Sequence, residues 1–271
     1  MKSEARVVVI GGGIVGVAVL YHLTKLGWRD VVLVERKQLT VGSTWHAAAG
    51  FHSLNGSLSM ARLQAYSIQT YDEVEAISGQ DVGMHRTGSV ACAATPAWMD
   101  FLKVVSELNR TLGIESHLIS GDEVPKYSRI IDPSQVIGAL VDPADGYLDP
   151  YGATHAYAKA ARIGGAEVYQ HTLVTALERN DDNTWNVVTD QGTIHTEHVV
   201  NAGGLWAREV AAMAGHRVPL VPYEHHYLVT EPLPEIMAQQ SESMTTVDLD
   251  GGIYVREEVG GLLFGVYENG P

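Results

Sequence analysis

The sequence predicts a mixed α/β fold in which a doubly wound parallel sheet is interleaved with a second domain built on a β-sheet. The main observation comes from the N-terminal region, where an apolar run, a glycine turn, a helical pattern and another apolar run follow in the order of a βαβ unit. The second observation is that later strand-like and helical segments alternate without an internal repeat. The length of 271 residues suits one large or two smaller domains.

Three segments define the N-terminal βαβ unit. Arg6–Ile10 is a short continuous apolar run, which is typical of a strand buried in a parallel sheet. Gly13–Leu26 has apolar residues at helical spacing, and Gly27 provides a stop signal. Val31–Glu35 repeats the strand pattern. Because the apolar run Val7–Leu20 is broken by glycines and is shorter than the roughly 20 residues of a membrane helix, we expect neither export nor a membrane span.

Further along the chain, the patterns predict both helices and strands. The predicted helices are Met60–Ile77, Pro96–Leu112, Pro150–Ile163 and Leu205–Ala214. The predicted strands are Gly88–Ala94, Ala166–Gln170, Val174–Arg179, Thr184–Thr189, Thr196–Asn201, Tyr227–Thr230, Ile253–Arg256 and Leu262–Tyr267. We therefore expect two domains woven from alternating stretches of chain. The chain ends at Pro271 just after a strand with no closing helix, so we also expect a truncation at the C-terminus.

Charge and composition exclude several classes of partner. The chain has 18 Lys and Arg against 32 Asp and Glu, a net charge of −14, and an acidic surface repels phosphate; we expect no nucleic-acid partner. The single cysteine, Cys92, excludes an internal disulfide and suits a reducing cytoplasm. The 12 histidines show no H-x-x-x-H or H-E-x-x-H spacing, so we expect no metal site.

The segment GGGIVG after the first strand fits the dinucleotide-binding pattern G-x-G-x-x-G. Gly11 permits the tight turn, Gly13 lets the backbone approach a pyrophosphate, and Gly16 lets the helix pack close to the strand. The predicted helix Gly13–Leu26, whose first turn includes Ile14 and Val15, directs its N–H groups and positive dipole end at the phosphates. The sequence therefore predicts a nucleotide cofactor at this turn.

Two further features narrow the choice of nucleotide cofactor. Glu35 ends the second strand about 20 residues beyond the glycines, where a carboxylate binds both ribose hydroxyls and disfavours the 2′-phosphate of NADP. A second glycine element, Val199–Gly204 (VVNAGG), follows a predicted strand. Two glycine turns at two strand ends can line one crevice at the carboxyl edge of a sheet. The pattern by itself fits both NAD and FAD.

At these residues the sequence resembles the glycine-oxidase/sarcosine-oxidase superfamily of FAD-dependent amine oxidoreductases, and within it most of all the dimethylglycine and sarcosine dehydrogenases. The resemblance covers nearly the whole chain. It rests on the segments VGSTWHAAAG (Val41–Gly50), DGYLDP (Asp145–Pro150), EHHYLVTEP (Glu224–Pro232) and IYVREEVGGLLFGVYE (Ile253–Glu268). It implies an FAD-binding part of about residues 1–55 and 130–215, and a substrate part of about 56–129 and 216–271. It also implies further flavin-domain and folate-binding regions beyond Pro271.

The resemblance assigns residues to the cofactor. It implies that His46 is joined covalently to the 8α-methyl group of FAD. The other implied contacts are Glu35 and Arg36 with the adenosine ribose, Ser43 and Thr44 with the pyrophosphate or ribityl chain, Val174 with the adenine, and Ala202 and Gly203 along the other side. From the residues alone, His46 has two alternative roles: it caps a helix that begins near Trp45, or it fills a polar pocket.

Three residues near the end of the chain are candidates for catalysis. Oxidation of a tertiary amine requires a free nitrogen lone pair, and a histidine can remove the ammonium proton while a tyrosine hydroxyl anchors it. The resemblance assigns these roles to His225 and Tyr254. Arg256 shares a strand face with Tyr254 and can bind a substrate carboxylate through two points. Each of the three residues also has a structural alternative to a catalytic role. His225 is then an exposed strand residue, Tyr254 is a packed strand aromatic, and Arg256 forms an ion pair with Glu257 or Glu258.

We therefore expect FAD-dependent oxidation of an N-methylated amino acid, dimethylglycine or sarcosine, by hydride transfer that yields an iminium. The electron acceptor is oxygen, an electron-transfer flavoprotein or a quinone. One alternative is a non-catalytic flavoprotein resembling the regulatory subunit of pyruvate dehydrogenase phosphatase, but such a binder does not need His46, His225 and Tyr254. An NAD-dependent dehydrogenase is a further alternative, and it leaves His46 without a role.

Overall fold

Two units alternate along the chain. In the computed structural model, which describes residues 1–267, the first unit comprises Met1–Ala47, Thr70–Gly83 and Asp149–Pro222. The second comprises Ala48–Gln69, Met84–Leu148 and the chain from Tyr223 onward. The mixed α/β fold is confirmed. The unit boundaries differ from those expected, since residues 130–148 lie in the second unit and residues 70–83 in the first. The function of each unit stays a prediction.

The elements follow the predicted order with added short strands. The helices are α1 (Ile14–Lys25), α2 (Leu58–Ser78), α3 (Pro96–Leu112), α4 (Pro150–Ile163), α5 (Ala207–Met213) and α6 (Pro234–Met237). The strands are β1 (Glu4–Ile10), β2 (Val31–Val34), β3 (Gly50–Phe51), β4 (Ser89–Ala93), β5 (His117–Ser120), β6 (Gly138–Asp142), β7 (Gly146–Tyr147), β8 (Glu167–Tyr169), β9 (Val174–Arg179), β10 (Trp185–Thr189), β11 (Gly192–Asn201), β12 (Tyr227–Val229), β13 (Thr245–Asp248), β14 (Ile253–Glu258) and β15 (Gly261–Val266). Short 3₁₀ turns cover Ser43–His46, Gly121–Lys126, Pro133–Gln135 and Gly204–Trp206.

The sheet of the first unit has the strand order β8-β2-β1-β11-β10-β9. Its central strands are parallel, and Val7 pairs with Val31 on one side and with His198 on the other. Continuous apolar runs form β1 and β2 because both faces are covered: Val8, Val9 and Val32 are fully buried. The carboxyl ends of β1, β2 and β11 therefore reach one edge of the sheet together, where a ligand site is expected.

The predicted helix Leu205–Ala214 is interrupted. A 3₁₀ turn over Gly204–Trp206 comes first, and α5 begins only at Ala207. Gly204 has a φ of 55°, in the left-handed region, which a right-handed helix cannot include. The 3₁₀ turn that begins at Gly204 thus separates β11 from α5.

The sheet of the second unit has the order β12-β15-β14-β13-β4-β6-β5. The sequence patterns did not predict β5, β6 and β13. Along β6, every residue is buried, including the terminal Asp142. The alternative in which His225 is an exposed strand residue was wrong about the strand, because β12 begins at Tyr227. Cys92 lies buried in β4, and burial raises the pKa of its thiol to about 12.

Two buried carboxylates lie close together in the second unit. Asp142 is 3% exposed and Asp145 is fully buried. The Ser53 hydroxyl donates to Asp142, while the Ser53 N–H donates to Asp145 Oδ1 at 2.9 Å. The Ser89 hydroxyl lies 2.6 Å from Asp145 Oδ2. Burial, and then repulsion from Asp142, raises the pKa of Asp145 to about 8.

The Asp145 carboxyl is expected to make stability fall as pH rises. Its unfolded pKa is about 3.9, so between roughly pH 4 and pH 8 the folded chain holds a proton that the unfolded chain has lost. The free energy of unfolding then falls by at most about 1.4 kcal/mol per pH unit in that window. Asp145→Asn cannot titrate and should flatten this slope. Urea unfolding at pH 5 and pH 8 measures it.

The matched control is Asp122→Asn, which changes an exposed aspartate and should keep the wild-type slope. Equal pH slopes for wild type and Asp145→Asn would contradict the assignment of the proton to Asp145.

Candidate functional site

A cleft of about 670 Å³ opens at the carboxyl edge of the first sheet. Most of the predicted cofactor residues line it: Gly11, Gly13, Ile14, Val15, Glu35, Arg36, Ser43, Thr44, Val174, Ala202 and Gly203. In the described part of the chain, the lining does not include Gly16, which lies inside α1, or His46, although its neighbours Thr44 and Ala47 contribute. The structure thus brings together residues from five separate stretches of sequence.

The glycine turn after β1 is held by very close backbone contacts. Gly11 has a φ of 117°, and its N–H donates to Val34 O at 2.9 Å. A Cβ on Gly11 would overlap the carbonyl of Ala202, and a Cβ on Gly16 would overlap the carbonyl oxygen of Gly11. These positions exclude side chains, as the G-x-G-x-x-G pattern requires.

The Glu35 carboxylate lies directly after β2 at the edge of the cleft. Its Oε2 accepts from the Gly12 N–H at 2.7 Å, and its Oε1 accepts from the Lys37 N–H at 2.8 Å. A carboxylate oxygen has a second lone pair, so both oxygens can still accept from hydroxyl groups. The neighbouring Arg36 guanidinium stacks on the Trp206 ring at 3.6 Å.

The Ser43–His46 turn contacts the start of α1. Thr44 Oγ1 accepts from the Ile14 N–H at 3.1 Å, which satisfies one of the N–H groups at the helix N-terminus. His46 ends this turn, is exposed, and its Nδ1 lies 3.1 Å from Gly42 O. Since no α-helix begins near Trp45, the capping alternative for His46 was wrong. The Trp45 ring instead lies 4.1 Å from the His46 ring, tilted by 43°.

The turn after β11 forms the other wall of the cleft. The Ala202 N–H donates to Ile10 O at 2.9 Å. Asn201 was not predicted as a site residue, yet its Oδ1 accepts from the Gly203 N–H at 3.1 Å and its Nδ2 donates to Ala207 O at 2.7 Å. An asparagine at a strand end, followed by Ala202 and two glycines, was the available signal for such a turn. Val174 begins β9 and is buried.

In the second unit, an aromatic cluster gathers around the predicted catalytic pair. The His225 ring lies 6.3 Å from the Tyr254 ring and 5.1 Å from the Tyr267 ring, nearly parallel to the latter at 26°. Tyr254 and Tyr267 lie 5.5 Å apart. The sequence analysis identified His225 and Tyr254 as site residues but not Tyr267, which it placed only at the end of the predicted strand Leu262–Tyr267. Glu268, the last residue of the resembling segment, lies outside the described residues.

Arg256 shares the β14 face with Tyr254 but is already engaged by its own unit. The buried guanidinium forms an ion pair with Glu258 at 2.6 Å, and Nε donates to Ala48 O at 3.2 Å. Its charged group also lies 4.1 Å from the centre of the Tyr147 ring. Of the two roles considered for Arg256, its contacts match the ion pair, and the partner is Glu258.

The chain matches the DAO family of FAD dependent oxidoreductases over residues 6–271. The chain belongs to this family. The resemblance found in the sequence is thereby confirmed, and the family description selects FAD over NAD.

Individual relatives extend this result. The mitochondrial dimethylglycine dehydrogenase of Mus musculus is 40% identical over 99% of this chain. The mitochondrial pyruvate dehydrogenase phosphatase regulatory subunit of Mus musculus is 34% identical over the whole chain. This chain spans 31% of the length of either relative. Among solved structures, L-proline dehydrogenase from P. horikoshii has a TM-score of 0.87 and 28% identity over 98% of this chain and 70% of that one.

Two other kinds of site were sought in the described residues. Over residues 1–267, no three His, Cys, Asp or Glu side chains are grouped so as to hold a metal ion. Within the same range, none of the helices combines the length and the apolar character needed to cross a bilayer.

The close approach of Gly16 to Gly11 O leads to a testable prediction for the cleft. Alanine is favoured over glycine inside a helix by about 1 kcal/mol, so Gly16→Ala would stabilise α1 if nothing else changed. Because the new Cβ overlaps Gly11 O, we expect a net loss of about 1–3 kcal/mol and weaker FAD binding. Urea unfolding and quenching of flavin fluorescence measure the two effects.

Gly50→Ala is the matched control, since a Cβ there meets only Gly146 O at 3.9 Å. A Gly16→Ala variant that unfolds at or above the wild-type urea concentration would contradict the steric requirement.

Proposed function

We propose that this chain belongs to an FAD-dependent amine dehydrogenase or oxidase that oxidises an N-methylated amino acid such as dimethylglycine or sarcosine. The observation that carries the proposal is the Ser43–His46 turn. Through Thr44 it caps the helix of the dinucleotide cleft, and through His46 it presents an imidazole beside that cleft. A dinucleotide fold alone does not require a histidine at this turn.

The cleft of the first unit supports FAD as the cofactor. The glycine turn and the N-terminus of α1 line the cleft where a pyrophosphate would bind, and Glu35 supplies acceptors for the ribose hydroxyls. Ala202 and Gly203 line the opposite wall, held by Asn201. When bound, FAD supplies a hydride acceptor, so that the substrate C–H bond is oxidised and the amine becomes an iminium.

The hydrogen bond of His46 supports one attachment atom. A carbonyl oxygen can only accept, so the contact with Gly42 O requires a hydrogen on Nδ1. The neutral imidazole then carries its lone pair on Nε2. We propose Nε2 as the nitrogen that bonds the 8α carbon of the flavin.

The aromatic cluster of the second unit supports a role in preparing the substrate. We propose that His225 removes the ammonium proton and thereby frees the nitrogen lone pair, while the Tyr254 hydroxyl anchors the amine. Tyrosine faces also attract methylated ammonium groups. Binding of a substrate carboxylate at Arg256 requires exchange with Glu258, so this part of the proposal is the least supported by the contacts.

Several finer points stay predictions. The regulatory alternative is less supported, because the named regulatory subunit is 34% identical where the dimethylglycine dehydrogenase is 40% identical. The electron acceptor, oxygen or an electron-transfer flavoprotein, is untested. A cytoplasmic location stays a prediction from the sequence, and both named mammalian relatives are described as mitochondrial.

Acid precipitation tests the attachment. We expect wild-type protein loaded with FAD to keep its yellow colour in the pellet, and His46→Ala to release the flavin into the supernatant. Mass spectrometry of the peptide that contains residue 46 should show the flavin mass only in the wild type. His216→Ala, which changes another exposed histidine of the same unit, is the control and should behave as wild type. Flavin retained in the His46→Ala pellet would refute the bond.

Flavin bleaching under anaerobic conditions tests the reaction. Dimethylglycine or sarcosine should bleach the wild-type flavin, and His225→Ala should slow bleaching by about 10²–10⁴-fold because the general base is lost. His226→Ala is the adjacent control; its imidazole lies 3.6 Å from Glu224, and we expect nearly normal rates. Wild-type protein that binds FAD but bleaches with neither substrate would favour the regulatory alternative. Normal bleaching by His225→Ala would remove His225 from the mechanism.

A further inference from the structure

A glycine lies between two tyrosines in the second sheet. Gly265 of β15 pairs directly with Tyr227 of β12 on one side and with Tyr254 of β14 on the other. Directly paired residues of an antiparallel ladder project from the same face. These three residues therefore form one row across the sheet, with no side chain at its centre.

The Tyr254 ring occupies the space that Gly265 leaves. A Cβ built on Gly265 would overlap the Cζ and Oη atoms of Tyr254. The backbone of Gly265 is not in the left-handed region, so its conformation does not require glycine. The requirement is steric, and it comes from the neighbouring ring. A strand glycine of this kind marks a place where another group approaches closely.

The position over Gly265 also places Tyr254 in the aromatic cluster. From there its ring lies 6.3 Å from His225 and 5.5 Å from Tyr267, and Tyr267 stacks on His225 at 5.1 Å. A side chain at residue 265 would push the Tyr254 ring away from the sheet. The distance between the Tyr254 hydroxyl and the His225 imidazole therefore depends on residue 265.

We propose that Gly265 is a positioning residue for the Tyr254–His225 pair. Its missing side chain sets where the Tyr254 hydroxyl lies, and through the ring contacts it sets the position of His225. The catalytic meaning rests on the proposed function, whereas the steric dependence of Tyr254 on residue 265 does not. The competing explanation is that the ring merely covers a strand glycine and stabilises the sheet.

A double-mutant cycle tests the steric dependence without any activity. In the wild-type chain, Gly265→Ala should lower Tm by about 5 °C because the new Cβ displaces the packed Tyr254 ring. In a Tyr254→Ala background the space is open, and Gly265→Ala should leave Tm unchanged or raise it. Equal losses in the two backgrounds would overturn the proposal. If Gly265→Ala does not fold, folding of the double variant supports the proposal and failure of both variants overturns it.

Kinetics then separate positioning from simple sheet stability. Gly265→Ala, assayed below its Tm with FAD and dimethylglycine, should lose about 100-fold in kcat/KM, since displacement by about 1 Å costs that much. Its pH profile should match that of Tyr254→Phe, while Gly50→Ala should keep the wild-type profile. A stable Gly265→Ala variant with a wild-type rate and pH profile would overturn the positioning role. If the wild type itself turns over no amine, the proposed function fails and the thermal cycle alone decides the placement of Tyr254.

Discussion

The cofactor cleft depends on one constraint, the near contact of three backbone segments at the carboxyl edge of the first sheet. The Gly11 turn, the first turn of α1 and the Ala202 turn approach so closely that neither Gly11 nor Gly16 has room for a Cβ. The Val34 carbonyl accepts from Gly11 N–H, and the Ile10 carbonyl accepts from Ala202 N–H, so the strand ends themselves fix the turns. Because the contacts are between backbone atoms, they cannot relax by changing rotamers. Glu35, Thr44 and Asn201 then attach their side chains to this frame.

Much of this frame could be predicted from the sequence, because residues close together along the chain determine its strands and helices. The runs that form β1 and β2 are apolar throughout because both faces are buried, and α4 begins at Pro150 with Asp149 as its N-cap, as local signals indicate. The pairing of β11 beside β1 was not predictable in the same way, because these strands are far apart in sequence. Likewise, the Thr44 hydroxyl caps a helix 30 residues away, and no local pattern shows that bond.

The second unit was harder to derive because several of its strand pairs, such as β4 with β13 and β12 with β15, join segments that are far apart in sequence. The alternation along β14 correctly placed Tyr254 and Arg256 on one face, and the same alternation favours Glu258 over Glu257 as the ion-pair partner. It could not show that the guanidinium is buried against Tyr147 and Ala48, since those residues come much earlier in the sequence. Arg256 thus has the chemistry to bind a substrate carboxylate, but its guanidinium is already engaged in contacts within its own unit.

Glycine has the same physical role in both units, but only one instance has a sequence signature. In the first unit, Gly16 makes room for the Gly11 carbonyl within one turn, so the spacing of these two glycines is fixed by geometry and the pattern can be recognised. In the second unit, Gly265 makes room for a ring on the neighbouring strand, and its separation from Tyr254 depends only on the length of the hairpin between them. A steric requirement between neighbouring strands does not fix how many residues separate the two positions in the sequence. It becomes visible only when the register is known, which is why the structure shows a constraint at Gly265 that the sequence does not.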